Sequence, residues 1–193
     1  MIARLEKVWG DAEIEPSALV SLVDRAERIM ARRAAAFADE HHPAFLHPLR
    51  TAVLLLEADE VDPRAHAAAL GLDTERDSGG DAMEGRSEPD DANVAAVLVA
   101  GPDERLELLV VAEPWVRHTW LAERLDQIRH LHLWAGPVRT RTALERAERE
   151  ELPLAGRVGG RLERAWADWL DKARRYRLVE RAETRPVGDT KGS

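Results

Sequence analysis

The sequence predicts an all-α chain. Two observations carry that expectation. Apolar residues recur at helical spacing over most of the length, and proline or glycine stands between the segments where helices start and stop. In the first segment Pro16 takes a first helical position, and Leu19, Leu22, Val23, Ala26, Ile29 and Met30 then form one stripe reaching to about Ala38. His41-His42-Pro43 interrupts it. Pro48 opens the next helix, where Leu49, Ala52, Val53 and Leu56 fall at i, i+3, i+4 and i+7. Asp62-Pro63 is a start signal, an Asp N-cap followed by Pro, and it leads into an Ala-rich run that lets a neighbouring helix approach closely.

Residues 78–93 carry Gly79-Gly80, Gly85 and Pro89 without a periodic apolar face, and read as a loop, with a short irregular helix around 81–84 as the alternative. Residues 94–100 fit a buried strand or a short helix equally well. Leu106, Leu109 and Val110 fit a helix. Pro114 restarts the chain into a long amphipathic one with Leu121, Leu125 and Ile128 on its stripe, ended by Gly136-Pro137. Two more helices fit residues 139–150 and 160–176. In the last, Leu162, Ala165, Trp166, Trp169, Leu170 and Ala173 line one face. Both tryptophans are expected to pack in the core or between copies of the chain. One domain over residues 1–184 is expected, with a frayed tail over 185–193.

Composition limits the function. The 193 residues hold 28 basic and 36 acidic side chains, a formal charge of −8, with 45% hydrophobic and 33% charged residues. That is globular and soluble in character, and the acidic balance argues against binding nucleic acid through its phosphates. There is no cysteine, so disulfides, thiolate metal sites and thiol catalysis drop out. No apolar run approaches the ~18 residues of a membrane helix, and none follows Met1 as a secretory signal would, so a cytoplasmic location without a membrane partner is expected. Phosphate-binding loops, G-x-G-x-x-G, H-E-x-x-H and G-x-S-x-G are all missing. What remains is histidines and carboxylates spread over several helices, the way helical metal-dependent hydrolases assemble their sites.

Three blocks, in order, resemble the HD-type hydrolase domain of the RelA/SpoT family. They are His42-Pro43-Ala44-Phe45-Leu46-His47-Pro48-Leu49, then Ala67-Ala68-Ala69-Leu70-Gly71-Leu72-Asp73-Thr74-Glu75-Arg76-Asp77, then Leu121-Ala122-Glu123-Arg124-Leu125-Asp126-Gln127-Ile128-Arg129. The resemblance spans about residues 41–129 and implies an HD-like helical bundle. It also implies removal of the 3′-pyrophosphate from guanosine tetra- or pentaphosphate with Mn²⁺. Carried over by residue, His47, Asp73 and Glu123 match metal ligands, and Asp77 matches a carboxylate that activates water.

Three positions depart from the family pattern. Leu72 replaces a histidine ligand and has no lone pair to offer. Arg76 puts a fixed cation where a carboxylate is expected, which repels a metal and cannot serve as a base. Glu123 replaces an Asp ligand and moves its oxygens by one methylene. Glu75 is a weak substitute carboxylate, since one residue of offset turns a helical side chain by about 100°. The expectation is therefore a degenerate homologue with impaired catalysis and little affinity for Mn²⁺. It would act as a binding or regulatory protein, with Arg50 and Arg76 as candidate contacts to a guanine nucleotide. Arg76 has the alternative of pairing with Asp73 or Asp77. The competing reading is an active phosphohydrolase with a rearranged site, and whether the chain is a homo-oligomer stays open. His66 reads as a surface or packing residue, because two helical turns, about 10 Å, separate it from Asp73. His41 and His42 read as solvated loop residues, and His118, His130 and His132 give no joint metal site.

Overall fold

The computed structural model describes residues 2–12, 14–36, 45–71, 97, 100, 102–131 and 136–176. The described chain is all-α, a helical bundle without a strand. Its helices are α1 (Ile2–Asp11), α2 (Pro16–Ala36), α3 (His47–Glu57), α4 (Pro63–Gly71), α5 (Pro102–Val111), α6 (Pro114–Leu131) and α7 (Pro137–Arg146). A π-helical turn, Ala147–Glu151, leads into α8 (Leu152–Val158), and α9 (Gly160–Arg175) ends the described part. The loop expected over 78–93 and the tail over 185–193 lie outside the described residues, as does most of 94–100, where Val97 is helical and buried.

The start signals work as their chemistry demands. Ahead of Pro16, the Glu15 carboxylate accepts the amides of Ser17 and Ala18 at 3.0 and 3.1 Å, which satisfies two orphan donors of α2. Asp62 accepts the Arg64 amide at 2.9 Å and caps α4 through Pro63. Gly136-Pro137 differs from expectation. The proline sits in the first turn of α7, where its missing N–H costs nothing, so the pair opens a helix rather than only ending one. Two helices fall outside the sequence reading. The first is α1, whose Leu5 and Trp9 form a buried i, i+4 pair. The second is the short α8, continued directly from the π turn.

Two apolar clusters hold the bundle together. One joins α1 and α2 to one side of α3 and α4, through Leu5, Trp9, Leu22, Ala26, Ile29, Leu49, Ala52 and Leu70. The other is built around α6. There the expectation of an amphipathic stripe needs correction. Trp115, Val116, Thr119, Trp120, Leu121, Ala122, Glu123, Leu125, Asp126 and Ile128 are all buried, so α6 is covered on more than one side and runs through the centre. Its most extensive helix partner is α3, and α4 lies against both. Ala65, Ala68 and Ala69 of α4 are buried, as the small side chains needed for close approach should be. Among the described residues no helix is long and apolar enough to cross a membrane.

Candidate functional site

The most extensive helix contact in the described bundle, α3 on α6, also brings its polar residues together. His47 and Arg50 stand three residues apart at the start of α3, on one face. Glu123, Asp126 and Gln127 share a face of α6 by the same spacing. A buried arginine fixes the entrance to α3: Arg33, on the stripe of α2, donates from Nε to the Phe45 carbonyl at 2.8 Å.

Asp126 is the hub. Its Oδ2 lies 2.6 Å from His47 Nδ1, and Arg50 grips the carboxylate with two parallel bonds, Nε to Oδ1 and Nη2 to Oδ2, each 2.8 Å. Burial alone pushes the Asp126 carboxyl up. The hydrogen bonds from His47 and Arg50, reinforced by their charges, outweigh it and hold the group below the usual carboxylate range. An ionised Asp126 only accepts, so His47 donates from Nδ1. The other ring nitrogen, Nε2, lies 3.7 Å from Glu123 Oε1. His47, Glu123 and Asp126 are each under 5% exposed.

From Glu123 a polar chain runs across α6 to the π turn. Gln127 donates from Nε2 to Glu123 Oε1 and accepts from Arg124 Nη1 at 2.6 Å. Arg124 and Arg146 each place Nε 3.3 Å from Oε1 of Glu151, a buried carboxylate in the π turn. The wider turn aims Glu151 inward between two arginines, a use of π geometry often met at functional positions.

The structure thus brings together two of the three expected metal ligands, His47 and Glu123, and places Arg50 beside them on Asp126. Asp73, Glu75, Arg76, Asp77 and Leu72 lie outside the described residues, and so does the expected pairing of Arg76 with Asp73 or Asp77. Sequence reasoning missed Asp126 as a site residue, although it lies inside the third block, one turn after Glu123. Its signal was the spacing: α3 offers His47 and Arg50 to the same partner face. Glu151 has no comparable signal, because a π turn changes which residues point inward.

The donor set can be tested against the implied Mn²⁺. An imidazole nitrogen and a carboxylate are ligands that this ion accepts, and a histidine whose other nitrogen donates to a carboxylate is the orientation that metal ligands adopt. Among the described residues, however, no group of three or more histidines and acids is arranged so that it could hold a metal ion. Two donors fall short of what an octahedral ion needs from a protein, so the described residues alone do not fit a Mn²⁺ site.

The other described histidines have structural work, while His41, His42 and His132 lie outside the described residues. His66 is fully buried, donates from Nε2 to the Glu60 carbonyl (2.9 Å), and stands edge-on to Trp9 at 5.8 Å, so it is the packing residue rather than a surface one. His118 pairs with the Glu60 carboxylate through Nδ1. His130 donates from Nδ1 to the Asp126 carbonyl at 2.8 Å. Burial holds the His66 pKa below 6.5, against smaller opposing contributions from Glu60 and Asp62. Burial raises Glu60, but the bonds from His118 and the Asp62 amide outweigh it and leave it low.

These directions have a common sign. A depressed folded pKa means that the unfolded chain takes up the proton first as pH falls. Stability should therefore decline on acidification from about pH 6.5 through His66, and further below the ordinary carboxylate range through Glu60 and Asp126. Urea midpoints from pH 8 down to about pH 3 check this. His66→Leu should lower the whole curve and remove the decline that begins near pH 6.5; a slope unchanged in that variant contradicts the assignment.

A scan against protein-family models finds no match for the chain, and a search of curated proteins finds none either.

Proposed function

We propose that this chain is a degenerate homologue of the HD-type guanosine polyphosphate hydrolases. In this reading it binds a guanosine polyphosphate in a regulatory role, and its metal-dependent hydrolysis is impaired. One observation supports the reading above others. His47 of the H-P turn and Glu123 of the L-A-E-R-L block are far apart in sequence, yet their buried side chains lie 3.7 Å apart. The resemblance requires these two to meet, and nothing in helical periodicity does. The substitutions at Leu72 and Arg76 speak against turnover, since a donor is lost and a cation gained where hydrolysis needs a metal-bound water and a carboxylate to take its proton. The competing reading, a working phosphohydrolase, draws support from the Asp126–His47 pair, which orients the imidazole as in metal sites.

Two measurements separate them. Guanosine tetraphosphate should raise the Tm of the full chain without added metal, while its turnover with Mn²⁺ or Mg²⁺ should lie ~10² or more below that of an intact family member. Clear turnover that disappears in His47→Ala establishes the hydrolase instead, and neither stabilisation nor turnover removes the nucleotide from the proposal. Mn²⁺ titrations should show weak binding, strengthened in the double variant Leu72→His, Arg76→Glu; no gain means that the register of the second block is wrong.

A further inference from the structure

Beside the Arg50–Asp126 pair, α1, α3 and α6 line a half-open cavity of about 530 Å³. That volume lies within the ~300–1,000 Å³ of small-molecule sites. Its walls are aliphatic, with Val8 from α1 and Val53 and Leu56 from α3 among them. Its charged groups are unevenly matched. Asp126 is already engaged by Arg50 and His47. That leaves Arg4 and Arg129 facing Glu57, an excess of one positive charge in a chain whose net charge is −8.

Arg129 is the informative residue. It is half-buried, lines the cavity, and makes no hydrogen bond or ion pair with the described residues. Its nearest opposite charges, Glu57 and Asp126, act on it only at longer range, and burial lowers its pKa. Its guanidinium has five N–H donors that are not sealed from solvent, so they can be offered to a ligand in the cavity. A carboxylate can meet two of these donors side by side.

We propose that this cavity is a binding site for a small amphipathic monoanion, an aliphatic carboxylate whose chain lies against Val8, Val53 and Leu56 and whose head is held by Arg129, with Arg4 at the rim. A polyphosphate suits it poorly. Glu57 and Asp126 line the same space, and the surplus of cations matches one negative charge. The cavity shares Arg50 and Asp126 with the His47–Glu123 centre, but the proposed head group sits on Arg129 and the proposal does not rest on the nucleotide reading.

The test uses the full chain and 1-anilinonaphthalene-8-sulfonate, a fluorescent apolar monoanion, displaced by decanoate or by decanol. Apolar contact alone favours the alcohol, which is the less soluble in water. Saturable probe binding, displaced at least ~10-fold more effectively by decanoate than by decanol, is the expected result. Arg129→Leu should weaken decanoate by ~10-fold or more and leave decanol unchanged. Val53→Trp, which fills the cavity, should abolish probe binding; if that variant does not fold, Val8→Trp at the more open margin replaces it. Decanol displacing as well as decanoate, or Arg129→Leu and the tryptophan variant both binding like the parent, overturns the proposal.

Discussion

Asp126→Ala is expected to destabilise the fold by ~3–5 kcal/mol, the usual cost of removing one partner from a buried, hydrogen-bonded charge pair. Against a total of ~5–15 kcal/mol for a domain, that is a large loss. The reason is geometric. The carboxylate accepts from His47 at 2.6 Å and twice from Arg50 at 2.8 Å, and it is 2% exposed, so its removal strands both donors at the α3–α6 contact. Asp126→Asn should fall between parent and alanine. One amide oxygen can still accept, but the amide N–H₂ then faces a donor. Urea unfolding of both variants measures the effect, and a double-mutant cycle with Arg50→Ala isolates the pair. A loss below ~1 kcal/mol for the alanine variant contradicts the hub role, because that is the range of an exposed ion pair. Under the proposed nucleotide reading, stabilisation by guanosine tetraphosphate should also weaken in Asp126→Asn, since the charged acceptor that orients His47 is replaced by a neutral amide.

Trp166→Ala should cost ~3–5 kcal/mol, as for other fully buried tryptophans. Its indole is 0% exposed within the cluster around α6, and Nε1 donates to the Leu121 carbonyl at 3.3 Å. Trp169, three residues on, is only partly buried at the margin of the same cluster, so Trp169→Ala should cost distinctly less. The comparison matters because the two stand on one stripe in sequence. Equal losses would mean that Trp169 is covered in solution, and the measurement to follow is the oligomeric state of each variant.

Much of the fold is legible in the sequence, for local reasons. Helical spacing of Leu22, Ala26 and Ile29 places them on the buried face of α2, and Asp62-Pro63 opens α4 by a capping bond between neighbours. Reading fails where burial comes from several sides. Asp126 goes unmarked on what reads as an amphipathic helix, and Glu123 enters only through the resemblance, yet both are buried because α6 runs through the centre. Glu151 escapes for a related reason: one π turn shifts the inward face, and no residue of Ala147–Glu151 announces it.

The sequence by itself determined that this protein is helical, where most of its helices begin, and that His47 and Glu123 belong to blocks of one resemblance. Those are properties of local spacing, capping and order along the chain. Only the tertiary structure decided that Asp126 joins His47 to Arg50, that Glu123 is linked through Gln127 and Arg124 to Glu151, and that Arg129 lines a cavity of about 530 Å³. Such relations depend on which faces of α1, α3 and α6 meet. That choice is made by burying apolar surface from helices distant in sequence, and a single helix carries no record of its partner's face.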